Sequence, residues 1–326
     1  MSEPFDSQSP GGREGTPAFQ HTPVMLDVIV RVFGPVPPGV VVDMTVGGGG
    51  HARAILTAHP HLTILGLDQD RDALAAAASN LSEFGDRVIL RHSRFDRLLP
   101  VMTDLQVSSV SGVLFDLGVS SPQVDRADRG FSYRSEGALD MRMDTDQQWS
   151  ARDVVNGYSE TQLAWVLRTH GDEKYAARIA KAIVAARPVE TTAELATIVR
   201  DAIPAPARRR GGHPAKRTFQ AIRIEVNREL EILPGAVDDA ITATKPGGRV
   251  AVLTYHSGED RIVKSRFRHG VTGGCTCPPA LPCVCDAVRT VRLVKAPATP
   301  SAEEIAANRR AESARLRVAE RIADAG

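Results

Sequence analysis

A run of glycines between an apolar segment and a helix-forming segment constrains the fold of this chain more than any other feature. The sequence VVDMTVGGGGHARAIL reads as a buried strand that ends at Asp43, a turn over residues 47–50 and a helix that begins at His51. A second apolar segment, LGLDQD, reads as a strand that ends at Asp68. Such a turn lets a ligand reach the unpaired amides of the helix, and an acid at the next strand tip can bind a ribose diol. The pattern predicts a nucleoside-cofactor site.

Two cofactors compete for this site, a nicotinamide dinucleotide and S-adenosylmethionine. GxGxxA can be read at Gly47, Gly49 and Ala52, and this glycine pattern does not separate them. The carboxylate of Asp43 would repel a pyrophosphate, whereas it favours the amino group and sulfonium of S-adenosylmethionine. We therefore expect a methyltransferase, with a nicotinamide oxidoreductase as an alternative.

The composition fits a soluble globular protein. The chain has 326 residues, 42% of them hydrophobic and 24% charged, so we expect one large core and a smaller unit. Residues 1–20 are rich in Gly, Pro and Ser and contain no signal-peptide core, and we expect them to be a disordered lead-in. No apolar run approaches the ~20 residues needed to cross a bilayer. We expect a cytoplasmic protein with no membrane contact.

Three more apolar segments, over residues 87–91, 111–117 and 247–257, extend the alternation of strands and helices, with a crossover helix over residues 73–81. This alternation predicts an α/β fold with a parallel sheet. About 130 residues separate the fourth and fifth strands, far more than one crossover requires. Helix signals fill the gap: a Ser159 cap with a Gly171 stop, a stripe that includes Ile179, and a Thr191–Glu194 capping box. A small helical domain is therefore inserted.

The rest of the chain predicts one more helix and two last strands. Residues 214–233 carry Phe219, Ile222, Val226, Leu230 and Leu233 at intervals of three and four, which predicts a single helix that returns the chain to the sheet. In the tail, AVRTVRLVKA and SARLRVAER read as strands on either side of the helix-like SAEEIAANRRA.

Several polar segments could carry chemistry. A long polar loop starts at Asp116, where the fourth strand ends, and its carboxylate could hold and polarise an exocyclic amine. His256 follows the fifth strand at the same edge of the sheet and is a second catalytic candidate. Residues 207–217 form a basic segment without acidic residues, which could bind the phosphates of RNA or could be a solvated loop. Its cationic residues are Arg208, Arg209, Arg210, Lys216 and Arg217.

All four cysteines lie in CTCPPALPCVC, as Cys275, Cys277, Cys283 and Cys285. Clustered thiols in a cytosolic chain suggest a structural zinc, although each pair is spaced more closely than in common zinc motifs. Four reduced thiols in a turn are the alternative.

Six long segments, in order, resemble the bacterial small-subunit ribosomal RNA cytosine-N4 methyltransferases of the MraW or RsmH type. They are HTPVMLDVI, DMTVGGGGHA, FDLGVSSPQVDRADRGFSY, GDEKYAARIAKAI, HPAKRTFQAIRIEVNRELE and GGRVAVLTYHSGEDRIVK, and they span most of the chain. The resemblance implies a Rossmann-like, seven-stranded class I methyltransferase sheet over residues 21–124 and 214–326, with an inserted all-helical substrate-recognition domain over residues 125–213.

The resemblance also implies a reaction and its partners. It implies methylation of one cytosine in the decoding region of the small ribosomal subunit, with 16S rRNA as the partner; a homodimer is left open. By matching position, the S-adenosylmethionine contacts fall on Gly49, Gly50, His51, Asp68, Phe95, Asp116 and Gln123.

Two departures from related patterns leave parts of this site open. Gly258 stands where the family has Leu, which adds backbone freedom beside His256. Asp116 is followed by Leu117 and Gly118, not by the two prolines and an aromatic of many RNA amine methyltransferases, so the amine could instead be held by a backbone carbonyl or by HSGED. A non-catalytic RNA-binding assembly factor is the alternative function.

Overall fold

The computed structural model describes residues 22–208, 212–278 and 284–323. The predicted lead-in, Arg209, Arg210 and Cys283 lie outside these described residues. Within them, every helix is too short or too polar to span a bilayer.

A seven-stranded sheet forms the centre of the described structure, in the order β3-β2-β1-β4-β5-β7-β6. Its strands are β1 (Gly39–Asp43), β2 (Leu62–Asp68), β3 (Val88–His92), β4 (Val110–Asp116), β5 (Thr244–Thr254), β6 (Val291–Leu293) and β7 (Arg315–Arg321). The first five strands are parallel, whereas β7 runs antiparallel to both β5 and β6. The predicted Rossmann-like methyltransferase sheet is confirmed.

Helices cover both faces of the sheet and fill the long connection between β4 and β5. They are α1 (Leu26–Phe33), α2 (Gly50–Ala58), α3 (Arg71–Asn80), α4 (Leu98–Asp104), α5 (Ser121–Asp125), α6 (Ala151–Gly157), α7 (Glu160–Gly171), α8 (Ala176–Ala185), α9 (Thr192–Ala202), α10 (Ala205–Arg208), α11 (Lys216–Asn227), α12 (Glu229–Ala243), α13 (Ser257–Thr272) and α14 (Ala302–Ala307). The predicted cap at Ser159 begins α7 and the predicted capping box at Thr191 begins α9; in the structure both are capping boxes.

Alternating side chains of the strands build one core on each face of the sheet. Val42 and Phe115 are fully buried against α12 and α13, while Val41 and Leu114 are buried on the other face against α1 and α2. Each such side chain contributes about 1.5–3 kcal/mol through its burial. The sheet is therefore a rigid support for the loops at its carboxyl edge.

A third core holds the inserted helices together. It contains Leu163, Leu167, Ile179 and Ile183, so the predicted stripe on α8 is buried as expected. This core continues into α11, through residues such as Phe219. The domain boundary at residue 213 stays a prediction, and α11 packs with the helices that precede it.

The structure corrects the prediction of one helix over residues 214–233. The helix is interrupted at Arg228, which has a left-handed φ of 55°, and α12 begins immediately after this residue. Phe219 and Val226 therefore pack in the third core, while Leu233 packs beneath the sheet. The fifth strand also ends earlier than predicted, at Thr254, and Ser257 begins α13. The first tail strand is shortened to β6.

Candidate active site

A cleft of about 2290 Å³ lies along the carboxyl edge of the sheet. The sheet order changes direction at β1, whose neighbours are β2 and β4, and a crevice at that position is where ligands bind in open α/β sheets. Its walls are the loops after β1, β2, β4 and β5, together with the first half of α11. The inserted helices and the sheet thus share one cleft.

The glycine turn forms one wall of this cleft. Gly47 and Gly49 have φ values of 52° and 82°, which favour glycine, and Gly49 is the N-cap of α2 without any side-chain cap. A Cβ on Gly50 would lie 2.4 Å from Cγ of Pro23. Backbone conformation therefore favours glycine at positions 47 and 49, the contact with Pro23 favours it at position 50, and the first amides of α2 have no side-chain cap.

Asp68 is held at the tip of β2 by two backbone amides. Its Oδ2 accepts from the Gly47 amide at 2.8 Å, and its Oδ1 accepts from the Asp70 amide at 2.9 Å. Burial raises its pKa to about 6 despite these hydrogen bonds. The carboxylate lines the cleft in a fixed orientation, with acceptor capacity left for a hydroxyl donor.

Asp43 lies at the end of β1, just beneath the turn. It pairs in register with Gly66 of β2 and Leu114 of β4, so Asp68 and Asp116 each lie two residues beyond its partners. Burial raises the pKa of Asp43 to about 7, with a smaller contribution from nearby Asp116 and Asp68, and His51 opposes the rise. Three carboxyl groups thus meet around the turn, which makes this region attractive to a cation.

Asp116 is positioned by residues that follow two other strands, β1 and β5. The Tyr255 hydroxyl donates to its Oδ1 at 2.7 Å, and its own amide donates to the Thr45 hydroxyl at 2.8 Å. Burial, followed by the neighbouring Asp116, raises the pKa of the Tyr255 phenol well above its ordinary value, so this phenol is a permanent donor. Asp116 is partly exposed, and its Oδ2 faces His51.

His51 is buried at the first turn of α2 with unsatisfied ring nitrogens. Its Nε2 lies 3.5 Å from Oδ2 of Asp116, but neither this nitrogen nor Nδ1 makes a hydrogen bond with a described residue. A buried polar atom without a partner is costly, and a ligand that supplies one removes the cost. The imidazole lines the cleft, between the turn and Asp116.

Gln123 and Phe95 also line the cleft. Gln123 belongs to the capping box of α5, and its Nε2 donates to Oδ2 of Asp70 at 2.8 Å. The same Asp70 oxygen lies 2.9 Å from Nη1 of buried Arg129. Phe95 meets Phe115 edge to face, with ring centroids 6.1 Å apart. Sequence reasoning missed Asp70, which holds Gln123 from 53 residues away, and Arg129, which pairs with the same Asp70 oxygen.

His256 has a structural use that the sequence did not reveal. It is the N-cap of α13, where its Nδ1 accepts from the Gly258 amide at 3.2 Å. Its Nε2 lies 3.2 Å from Oε1 of buried Glu259, whose other oxygen accepts from the amides of Tyr255 and His256. Gly258, expected to loosen this loop, lies in the first turn of α13. The imidazole still lines the cleft.

The basic candidates separate into two groups. Lys216 is exposed and lines the cleft. Arg217 instead donates to the Asp172 carbonyl at 2.8 Å, and Nη1 of Arg208 lies 3.5 Å from Asp201. The structure therefore brings Lys216 to the site but holds Arg208 and Arg217 elsewhere.

Three cysteines converge after α13. Thiol sulfurs of Cys275, Cys277 and Cys285 all lie within 4.8 Å of one another. The cluster is outside the cleft described above.

The sheet, with antiparallel β7 between β5 and β6, and the glycine turn define the class of Rossmann-like methyltransferases. The MraW methylase family matches residues 18–322. A ribosomal RNA small subunit methyltransferase H from Thermobifida fusca is 48% identical over 322 residues, which cover 96% of this chain and 97% of that protein. One from Heliobacterium modesticaldum is 49% identical over 311 residues, which cover 93% and 99%. An rRNA methylase structure from Streptococcus thermophilus, at 12% identity and TM-score 0.39, covers 91% of this chain and 94% of its own.

The two sequence similarities extend over almost the whole length of this chain and of each relative. The chain belongs to the MraW methylase family and is a methyltransferase.

Proposed function

We propose that this protein transfers a methyl group from S-adenosylmethionine to the exocyclic N4 amine of one cytosine in small-subunit ribosomal RNA, the cytosine numbered 1402 in the standard scheme. The main observation in support of S-adenosylmethionine as the cofactor is that three carboxyl groups, of Asp43, Asp68 and Asp116, lie close together around a glycine turn. The names of close relatives support the RNA substrate.

The residues of the cleft fit S-adenosylmethionine. The ribose diol of the cofactor has a fixed acceptor in Asp68, and Gly50 lies in the first turn of α2, whose N-cap Gly49 has no side-chain cap, so its backbone amides can contact a ligand. His51 offers two unsatisfied ring nitrogens, and Gln123 and Phe95 supply an amide and an aromatic wall. We propose these residues, with Gly49 and Asp116, as the cofactor contacts.

When bound, S-adenosylmethionine supplies a methyl group activated by a positively charged sulfur. The residues of this chain must then hold the acceptor amine in line and stabilise the positive charge that develops on its nitrogen. We assign this role to Asp116, whose Oδ1 is fixed by the Tyr255 hydroxyl and whose Oδ2 remains available to an amine N–H. A carboxylate at this position favours the developing charge and can receive the proton that the amine loses.

His256 has a different role in this proposal. Its Nδ1 already caps α13, so it shapes the cleft wall through Glu259 and Tyr255 without moving a proton. The RNA must present the target cytosine outside a helix, because a paired cytosine keeps its amino group within the duplex.

The direct experiment combines the purified protein with methyl-labelled cofactor and small-subunit particles from cells that lack the protein. We expect label on a single cytosine, at N4, and no label with the Asp116→Ala variant. RNA from the deletion strain that already carries normal N4 methylation would contradict the proposal and favour the non-catalytic assembly factor.

We propose zinc at the cysteine cluster as a separate site. Three thiols within 4.8 Å supply three of the four ligands that tetrahedral zinc requires. We expect about one zinc per chain by mass spectrometry of purified protein, and less in Cys277→Ser. Zinc near zero in the wild-type protein would contradict this site without affecting the methyl transfer.

A further inference from the structure

A stacked aromatic pair lies in the part of the cleft formed by the inserted helices. Tyr133 and His213 stack with ring centroids 4.4 Å apart and planes inclined by 20°. Tyr133 also meets Phe219 edge to face at 5.8 Å. All three side chains line the cleft, but Phe219 is buried in the third core while His213 is exposed. The stack is therefore anchored at one end and accessible at the other.

Two cations stand beside this stack without acidic partners. The Arg134 guanidinium lies 5.8 Å from the Tyr133 ring centroid, and Lys216 lines the same cleft. Neither forms an ion pair with any residue that the structure describes. In the same cleft, by contrast, Arg223 binds Glu229 through hydrogen bonds of 2.8 and 2.9 Å. Arg134 and Lys216 thus keep their charge available to a ligand.

The His213 imidazole is suited to stacking against a nucleobase. Partial burial of the ring, followed by the charges of Arg134 and Arg200, lowers the pKa of His213, which favours the neutral ring. Its Nδ1 accepts from the Ala215 amide at 3.2 Å, which fixes the ring just before α11. A neutral, fixed aromatic surface next to free cations is the combination by which proteins hold unpaired bases and their phosphates.

We propose that the Tyr133–His213 pair holds an unstacked base of the substrate RNA, adjacent to the reacting cytosine. Arg134 and Lys216 contact the phosphates on either side of it. The reacting cytosine has to reach Asp116 at the end of β4, whereas the pair belongs to the loop after α5 and the segment before α11. The occupant is therefore a second base of the same strand. This inference rests on the proposed RNA methyl transfer and adds how the strand is held.

The test uses single-stranded RNA oligonucleotides with the decoding-region sequence, in which 2-aminopurine replaces a base on one side or the other of the target cytosine. Stacking on an aromatic ring quenches its fluorescence. We expect quenching at one of these positions with wild-type protein and with Tyr133→Phe. With Tyr133→Ala or His213→Ala we expect quenching to be lost and binding to weaken by about 5- to 150-fold, the loss of one stacked base.

Trp165→Ala is the matched control, since Trp165 is an exposed aromatic that does not line the cleft. It should leave quenching and binding unchanged. Cofactor affinity and the melting temperature of each variant show whether the fold is intact; His213 is exposed, so its replacement does not disturb a core.

Wild-type quenching and affinity retained in both Tyr133→Ala and His213→Ala would overturn the inference. So would a wild-type protein that methylates particles but quenches neither oligonucleotide, and the stack would then face protein or another part of the particle. A wild-type protein that quenches the oligonucleotide but transfers no methyl group to particles would overturn the proposed function instead.

Discussion

Replacing Asp68 by Asn tests the ribose contact. Asp68 is fixed by hydrogen bonds of 2.8 and 2.9 Å from the Gly47 and Asp70 amides, so its remaining acceptor capacity faces the cleft. Asn keeps the size and one acceptor oxygen but loses the charge and one acceptor. Hydrogen bonds to charged groups contribute about 1.5–3 kcal/mol each, so we expect cofactor affinity to fall about 10- to 150-fold. Isothermal titration calorimetry with S-adenosylmethionine measures it.

The pH dependence of the same titration sharpens the test. Because the pKa of Asp68 is raised to about 6, its ionised fraction falls from about 0.9 at pH 7 to about 0.1 at pH 5. The titration of Asp68 should therefore lower wild-type affinity about 10-fold over this range. The Asn variant should lose this contribution and keep only the pH dependence that comes from Asp43, whose pKa is about 7. Asp104→Asn, at an exposed position away from the cleft, is the control. Unchanged affinity in Asp68→Asn at pH 7 would refute the ribose assignment.

Three further outcomes follow from the same geometry. Folded Asp43 keeps its proton up to about pH 7 but ionises near 3.8 when unfolded, so the ligand-free protein loses stability as pH rises through that window. Asp43→Asn should remove this loss and raise the free energy of unfolding at pH 8 by about 2–4 kcal/mol in urea denaturation. Tyr255→Phe, which frees Asp116, should lower single-turnover methyl transfer about 10-fold while cofactor affinity stays within about 2-fold; equal losses in both would contradict its positioning role. Lys216→Ala should reduce the salt dependence of RNA binding by about one unit of slope, whereas Arg217→Ala should not.

The first two strands and the glycine turn could be predicted from sequence because every determinant is local. Apolar runs end at Asp43 and Asp68, and Gly47 and Gly49 occupy left-handed conformations that the turn needs. The N-terminal caps of α7 and α9 likewise depend only on residues close in sequence, such as Ser159 at the start of α7. These local determinants do not depend on contacts between distant segments, and the sheet that they predict is confirmed.

The break at Arg228 could not be predicted, because it depends on contacts between distant segments. Asn227 donates to the Met141 carbonyl at 2.8 Å and accepts from the Met143 amide at 2.8 Å, which ties the end of α11 to the segment between α5 and α6. Arg223 then binds Glu229 across the break. Helix periodicity alone continues through this position, and the long-range bonds override it.

The supports of the site were missed for the same reason. Asp116 could be proposed from its place at a strand end, but its partner Tyr255 is 139 residues away and reads as the end of a strand. Arg129 reads as a charged loop residue, yet it is buried against Asp70. The position of Tyr255 just beyond β5 could have indicated this contact, because the carboxyl ends of the parallel strands β4 and β5 lie at the same edge of the sheet.

A crystal structure of the wild-type protein with S-adenosylmethionine is the measurement that bears most directly on the binding of the methyl donor at this edge. We predict density along residues 47–51, with the ribose hydroxyls within hydrogen-bond distance of Asp68 and the methyl group directed toward Asp116. A donor bound in any other part of the molecule, or a cleft that stays empty at saturating donor while the protein is active, would contradict it.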